Sequence, residues 1–164
     1  MRDGSLPPAL DIFIVLNSLL RAGAFLLAAT MVLGARPAVA AMPNPALTPG
    51  DVDQHDRSQV CVLGEAHRRR AVSYRVRDRV YLAYGIPRGQ RKGLYRIDHL
   101  IPLELGGSNR AANLWPQPVA DSKLKDRVED ELHEAVCDGG MSLDAAQRAI
   151  ARDWHTAVPP AYRH

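Results

Sequence analysis

Residues 94–118, LYRIDHLIPLELGGSNRAANLWPQP, contain the pattern that decides the fold. The residues of 94–97 alternate in polarity, which predicts a short strand that ends at Asp98 and His99. A loop rich in glycine follows, and a second short strand is predicted to begin near Asn113 and return beside the first. The stretch therefore predicts a β-hairpin that gathers an acid, an imidazole and an amide.

These three side chains are suited to metal-assisted chemistry. The carboxylate of Asp98 offers oxygen, which hard cations such as Mg²⁺ or Mn²⁺ prefer. His99 has an unperturbed pKa near neutrality and can accept a proton from water, and Asn113 could orient its ring through a hydrogen bond. Neighbouring residues of a regular strand point to opposite faces, so we expect Asp98 and His99 at a strand end. A metal, a base and an orienting group predict hydrolysis of a phosphodiester.

The same stretch resembles a known family, the HNH (ββα-metal) endonucleases. The resemblance rests on Asp98-His99-Leu100-Ile101-Pro102-Leu103, Gly106-Gly107 and Asn113-Leu114-Trp115-Pro116. A group of small secreted bacterial proteins is similar over most of residues 48–155. The further motifs shared with that group are Lys125-Asp126, Val136-Cys137, Ala146-Gln147, Ile150-Ala151 and Asp153-Trp154.

The resemblance implies an α+β fold built on a ββα-metal hairpin and helix, with additional flanking helices. It implies a metal-dependent nuclease in which Asp98 binds the metal, His99 is the general base and Asn113 orients His99. Mg²⁺ or Mn²⁺ is the expected cofactor.

The third position of the HNH motif departs from the family pattern. A His or Asn is usual about nine residues after the middle Asn, and this chain has Ser122 there, followed by Lys123. Asp126, one turn further along, is a candidate replacement, and we count Ser122 and Asp126 as possible metal ligands. The departure leaves two alternatives open: a catalytically impaired module that binds nucleic acid, and an exported structural or interaction domain.

Residues 1–40 have the features of a secretory signal peptide. An apolar run of 13 residues at 22–34 follows Arg21, and Ala38-Val39-Ala40 fits an A-x-A cleavage site. The true start could lie near residues 15–20. We predict cleavage after Ala40, a secreted or periplasmic bacterial protein and no membrane association after cleavage; an uncleaved anchor is the alternative.

The chain contains two cysteines, Cys61 and Cys137. An oxidising compartment predicts that they form a disulfide, and two buried free thiols are the alternative.

The charge is polarised along the sequence. Residues 57–96 hold eleven Lys or Arg against two acids, a net charge of +9, whereas residues 97–164 have a net charge of −4. A basic segment beside the hairpin favours nucleic acid as the partner, with DNA favoured over RNA. Arg96, Arg110 and Lys123 are candidate phosphate contacts.

Apolar periodicity predicts helices at 73–84, 120–136 and 143–154. In the second, Leu124, Val128, Leu132 and Val136 are expected to face the core, with Asp121 as N-cap and His133 on the surface. The predicted organisation is an extended lead-in over 41–60, an HNH-like domain over 61–157 and a tail over 158–164. Nothing in the sequence predicts an oligomeric state.

Overall fold

The predicted hairpin is present. In the computed structural model, which describes residues 41–164, β1 (Tyr95–His99) pairs antiparallel with β2 (Leu114–Pro118). Asp98 lies opposite Trp115 and His99 opposite Leu114, so the acid and the imidazole are the last two residues of β1, at the expected strand end. The predicted signal peptide lies outside the described residues.

Helices surround the hairpin and give the α+β class. The three predicted helices are confirmed to within about two residues at each end. The structure also contains two short helices before the first of them. In chain order the helices are α1 (Arg57–Val60), α2 (Glu65–Arg69), α3 (Tyr74–Ala83), α4 (Ser122–Cys137) and α5 (Leu143–Arg152). Short 3₁₀ turns occupy Arg88–Gln90, Leu103–Leu105, Ala111–Asn113, Val119–Asp121 and Pro160–Tyr162.

The core lies between α4, α5 and the loop that follows β1. From α5 and the residues after it, Ile150 and Trp154 are fully buried in this core. On α4 the predicted face is wrong at one position. Leu124 is 44% exposed, and the neighbouring Lys125 is fully buried. The buried face of α4 therefore begins with Lys125 rather than Leu124, and this lysine contacts the end of the hairpin.

Residues 41–60 pack onto the hairpin loop. Val52 forms an isolated antiparallel bridge with Gly107, and the backbone N–H of Asp53 donates to the carbonyl of Gly106 at 2.9 Å. Gly107 has no room for a side chain, because a Cβ there would overlap the carbonyl oxygen of Ile101. At Gly106, a Cβ would meet the carbonyl oxygen of Gln54, so this glycine permits the close contact between the lead-in and the loop.

The predicted disulfide is present between Cys61 and Cys137. It joins the end of α1 to the end of α4 across a sequence separation of 76 residues. A loop of this length makes the bridge worth about 4 kcal/mol in the chain-entropy model. The bridge therefore anchors the helix that lies against the hairpin.

Within residues 41–164, no helix has the length and apolar character that crossing a membrane would require.

The first turn of α4 is held by a long-range contact instead of the predicted cap. Asp121 makes no capping hydrogen bond, and its Oδ2 accepts from the backbone nitrogen of Ala41 at 3.0 Å. The carbonyl of Ala41 in turn accepts from Nε1 of the buried Trp154 at 3.1 Å. Cleavage after Ala40, as the sequence predicts, would make this nitrogen a charged α-ammonium beside a carboxylate.

This contact predicts a stability difference that depends on processing. Asp121→Asn should destabilise the chain 41–164 by about 1 kcal/mol, because it removes an ion pair. The same substitution should cost less in a chain that retains Val39 and Ala40, where the nitrogen is a neutral amide. Urea unfolding of the four proteins measures both changes, and equal losses in the two backgrounds would exclude the ion pair.

Candidate active site at the hairpin

A polar pocket of about 370 Å³ opens where the end of β1 meets α4. Five carboxylates and two guanidiniums line it, so its wall is negatively charged. The burial of Asp130 and the nearby carboxylates of Glu104 and Asp126 raise the pKa of Asp130, as expected where negative charge is in excess. The lining residues are Arg70, Arg96, Ile97, Asp98, Glu104, Asp126, Glu129 and Asp130.

The ammonium of Lys125 is buried beside the carboxylate of Asp98, one of the pocket residues. It donates to the carbonyl oxygen of His99 at 2.7 Å, lies 3.0 Å from Oδ2 of Asp98 and contacts the carboxyl group of Glu129. The contact with Asp98 is an ion pair without hydrogen-bond alignment, because that oxygen has no aligned donor. The ammonium therefore has two hydrogen-bond acceptors, His99 and Glu129, and the nearby carboxylate of Asp98 adds an ion pair that stabilises the buried charge.

The protonation of this cluster follows from its contacts. Burial opposes the charge of Lys125, but Glu129 and Asp98 outweigh burial and raise the lysine pKa above its ordinary value. Burial also raises the pKa of Glu129 to about 8, against the attraction of the ammonium. We take Lys125 as charged, because it has three oxygen partners and Glu129 has one ammonium partner.

Arg96 was predicted as a phosphate contact, but its guanidinium is engaged with carboxylates of the protein. Its Nη2 lies 3.6 Å from Oδ1 of Asp98 and also contacts the carboxylate of Asp126, while its Nε donates to Gln117 at 2.9 Å. Arg96 thus bridges the two carboxylates predicted as metal ligands. Each oxygen of Asp98 has a cationic neighbour, Arg96 on one side and Lys125 on the other.

Asp126 and Ser122, the two candidates for the third metal ligand, differ in position. Asp126 lines the same pocket as Asp98. Ser122 does not, and its Oγ donates to the carbonyl of Val119 at 2.9 Å within the preceding turn. Of the two candidates, only Asp126 lies in the pocket with Asp98, and Ser122 as a metal ligand stays a prediction.

His99 is buried at the end of β1, with 4% of its surface exposed. Its Nε2 lies 3.1 Å from Oδ1 of Asn109. Burial lowers the pKa of His99 below 6.5, Arg70 and Lys125 lower it further, and Asn109 and Asp98 oppose the shift. The imidazole is therefore neutral at neutral pH, the state a proton acceptor needs. His99 does not line the pocket itself, but it directly follows Asp98, which does.

Asn113 does not orient the ring of His99, contrary to prediction. Its Oδ1 accepts from the N–H of Ile101 at 2.9 Å, and its Nδ2 donates to the carbonyls of Ile101 at 2.8 Å and Ser108 at 3.0 Å. Asn113 is fully buried and all these partners are backbone groups. It fixes the loop between the strands, and the ring of His99 is contacted by Asn109 instead.

Two further predicted phosphate contacts lie away from the pocket wall. The guanidinium of Arg110 is paired with Asp51 and Asp53, the latter at 2.5 Å, so its charge is already neutralised. Lys123 is exposed on the first turn of α4 and is not among the pocket residues.

A second group with metal-binding spacing consists of Cys61, His133 and Cys137. Both sulfurs are consumed by the disulfide, so they cannot act as thiolate ligands while the bridge is intact. His133 is half-buried rather than on the open surface, with Nε2 3.1 Å from the carbonyl oxygen of Val60. The acidic pocket is therefore the better candidate for a metal.

Comparison of the chain with protein-family models, with curated proteins and with solved structures gave no match.

Asn109, Lys125, Glu129 and Arg70 were not predicted as site residues. The sequence analysis did not assign Lys125 and Glu129 to the core, because two charges four residues apart on a helix are typical of a solvent-exposed pair. The burial of Asp98 requires a cationic partner, but no local sequence pattern indicated that burial.

The buried ion pair predicts a large effect of one substitution. Lys125→Met should destabilise the protein by about 3–5 kcal/mol, since it removes the buried ammonium that contacts Asp98 and Glu129 and leaves Oδ2 of Asp98 without a cation. The control Lys123→Met, two residues away and exposed, should change stability by less than about 0.5 kcal/mol. Denaturant unfolding measures both free energies, and equal effects would contradict the assigned role of Lys125.

Proposed function

We propose that this chain is a secreted HNH-type nuclease of ββα-metal fold that hydrolyses phosphodiester bonds of nucleic acid, DNA in preference to RNA. The observation that carries the proposal is the pairing of a neutral, buried imidazole, His99, with the carboxylate of Asp98 at the end of β1 beside a carboxylate-lined pocket. A base and a cation-binding wall are the two components that metal-assisted hydrolysis requires.

The pocket fits a hard divalent cation better than any other charged ligand. All its acidic groups offer carboxylate oxygens, the ligands that Mg²⁺ and Mn²⁺ prefer. Asp98 and Asp126, already drawn toward each other by Arg96, are the residues that would hold the ion. When bound, the metal would supply Lewis-acid stabilisation of charge on the phosphate and the leaving oxygen.

The protein groups have separate tasks in this proposal. His99 accepts a proton from the attacking water. Lys125 contacts both the carbonyl of His99 and the carboxylate of Asp98, and so fixes the general base relative to the metal-binding carboxylate. Arg70 is exposed, lines the pocket and makes no ion pair within residues 41–164, so its guanidinium is available to a substrate phosphate.

The charge of the surroundings supports a polyanionic substrate. The segment 57–96 has a net charge of +9, whereas the pocket itself is acidic. Many of the arginines in this segment, such as Arg75, Arg77 and Arg79, are exposed. A basic surface attracts the backbone of the nucleic acid, and a cation in the pocket would offset its repulsion from the carboxylates.

A second candidate is a nucleic-acid-binding module of the same fold without catalysis. The specific observation in its favour is that Arg96 and Lys125 already neutralise both oxygens of Asp98. A metal would have to compete with these two cations. In addition, the third motif position, where His or Asn is usual, is occupied by Ser122.

The enzyme and the binding module differ in a cleavage assay. The oxidised chain 41–164 should nick supercoiled plasmid with Mg²⁺ or Mn²⁺ and should be inactive in EDTA. His99→Ala should lower the rate by at least about 100-fold, because the general base is lost. His67→Ala, which changes an exposed imidazole on α2, is the matched control and should leave the rate unchanged.

Three results would count against the nuclease. Cleavage that persists in EDTA would exclude the metal, and full activity of His99→Ala would exclude the base. No cleavage by folded protein, together with salt-sensitive retardation of DNA, would establish the binding module.

The pKa of His99 predicts the acid side of the pH–rate profile. Burial lowers this pKa, so the neutral base should persist as the pH falls through 6.5 and be lost only at lower pH. The rate of plasmid nicking should therefore fall with a midpoint below 6.5. A midpoint above 6.5 in a folded protein would contradict the assignment of His99 as the base.

A further inference from the structure

The ring of His99 has one side-chain partner, Asn109, within the described residues. Nε2 of His99 and Oδ1 of Asn109 are 3.1 Å apart. An imidazole nitrogen in such a contact can be either donor or acceptor, depending on which nitrogen carries the proton. The orientation of the Asn109 amide therefore decides the protonation pattern of the neutral ring.

Two backbone groups fix that orientation. Nδ2 of Asn109 donates to the carbonyl oxygen of Arg69 at 2.7 Å, and Oδ1 accepts from the backbone N–H of Ala71 at 3.4 Å. A carbonyl can only accept and a backbone N–H can only donate, so a flipped amide would lose both hydrogen bonds. The atom facing His99 is consequently the amide oxygen, which cannot donate.

We infer that Asn109 is a positioning residue that holds His99 with its proton on Nε2, which leaves the lone pair on Nδ1 to accept a proton from water. The catalytic part of this inference rests on the proposed nuclease function. The tautomer itself rests only on the three hydrogen bonds of Asn109. Asn109 touches no reacting atom and acts through the ring that it orients.

The surrounding structure keeps Asn109 in place. Asn113 binds the carbonyl of Ser108, the residue before Asn109, and the N–H of Gly107 donates to the carbonyl of Pro102 at 2.9 Å. Arg69, whose carbonyl anchors Asn109, donates from its Nη2 back to the carbonyl of Gly107 at 3.2 Å. The loop and the end of α2 are thus cross-linked around the amide, so its orientation is built into the fold.

Nuclear magnetic resonance of the ring nitrogens tests the inference without reference to activity. In the oxidised chain 41–164 labelled with ¹⁵N-histidine, at a pH where His99 is neutral, long-range ¹H–¹⁵N correlations should show a protonated Nε2 and an unprotonated Nδ1. The Nε2 proton should exchange slowly with water, because it is buried and hydrogen-bonded. His99→Gln, in which that pair of ring signals disappears, assigns them.

Three substitutions separate the acceptor from its neighbours. Asn109→Leu keeps the size but removes the acceptor, so the slowly exchanging Nε2 proton should be lost and the ring should average between tautomers. Asn109→Asp retains an acceptor oxygen and should keep the proton on Nε2. Asn44→Leu, at an asparagine that contacts Tyr84 and Ala46 instead of His99, is the matched control and should leave the ring signals unchanged.

The kinetic consequence is measured on the same variants. Asn109→Leu should lower kcat for plasmid nicking by about 10- to 100-fold with little change in KM, as expected when a group that orients a reacting residue is lost. Thermal melting of each variant verifies that it is folded under the assay conditions.

The outcomes are distinguishable. A proton on Nδ1 in the unsubstituted protein overturns the inference, and so does Asn109→Leu with unchanged His99 nitrogen signals. A protein that shows the Nε2 proton but cleaves no nucleic acid supports the assigned tautomer and contradicts the nuclease instead.

Discussion

The site depends on the contacts that the buried ammonium of Lys125 makes. It binds the carbonyl of His99 and the carboxylate of Asp98 from the side of α4, and so joins the end of β1 to the helix that follows the hairpin. A buried charge of this kind is stable only when oxygen partners surround it, so charge compensation as well as packing places α4 against the hairpin. Lys125 is buried at this contact, whereas the neighbouring Leu124 is exposed.

The same constraint shapes the chemistry that the pocket can perform. Arg96 and Lys125 flank Asp98, and Asp126 shares the Arg96 guanidinium. These internal cations keep a cluster of carboxylates together, which is the condition for a preformed cation site. In the proposed nuclease they would also compete with the bound cation, so metal affinity would depend on how readily Arg96 is displaced. This competition is the physical difference between the nuclease and the binding module.

Much of the fold follows from local sequence patterns. The alternation before Asp98, the glycine-rich loop and the apolar periodicity of α3, α4 and α5 are local signals, and the structure contains the corresponding elements. The disulfide was predicted from the inferred compartment and is present. The hairpin and helix predictions succeeded because each depends on residues close together in the chain. The disulfide prediction succeeded because two cysteines allow one pairing.

The site was predicted less completely because its contacts are between distant residues. Asp98 and His99 were placed at the right strand end, whereas Arg96 and Arg110 were expected to be free and are paired with carboxylates. Asn113 was predicted to orient His99, but the groups it binds are backbone atoms of the loop. The spacing of residues in the sequence does not indicate which carboxylate will pair with an arginine. A helix pattern that treats lysine as polar also predicts that Lys125 lies outside the core.

The location of a bound metal tests the nuclease most directly. Crystals of the oxidised chain 41–164 grown with Mn²⁺ would give an anomalous signal at the ion. We expect one peak in the pocket between the carboxylates of Asp98 and Asp126, absent in Asp98→Asn. A well-ordered pocket with no peak at saturating Mn²⁺, or a peak only at surface carboxylates away from Asp98, would contradict a metal-dependent active site at the hairpin.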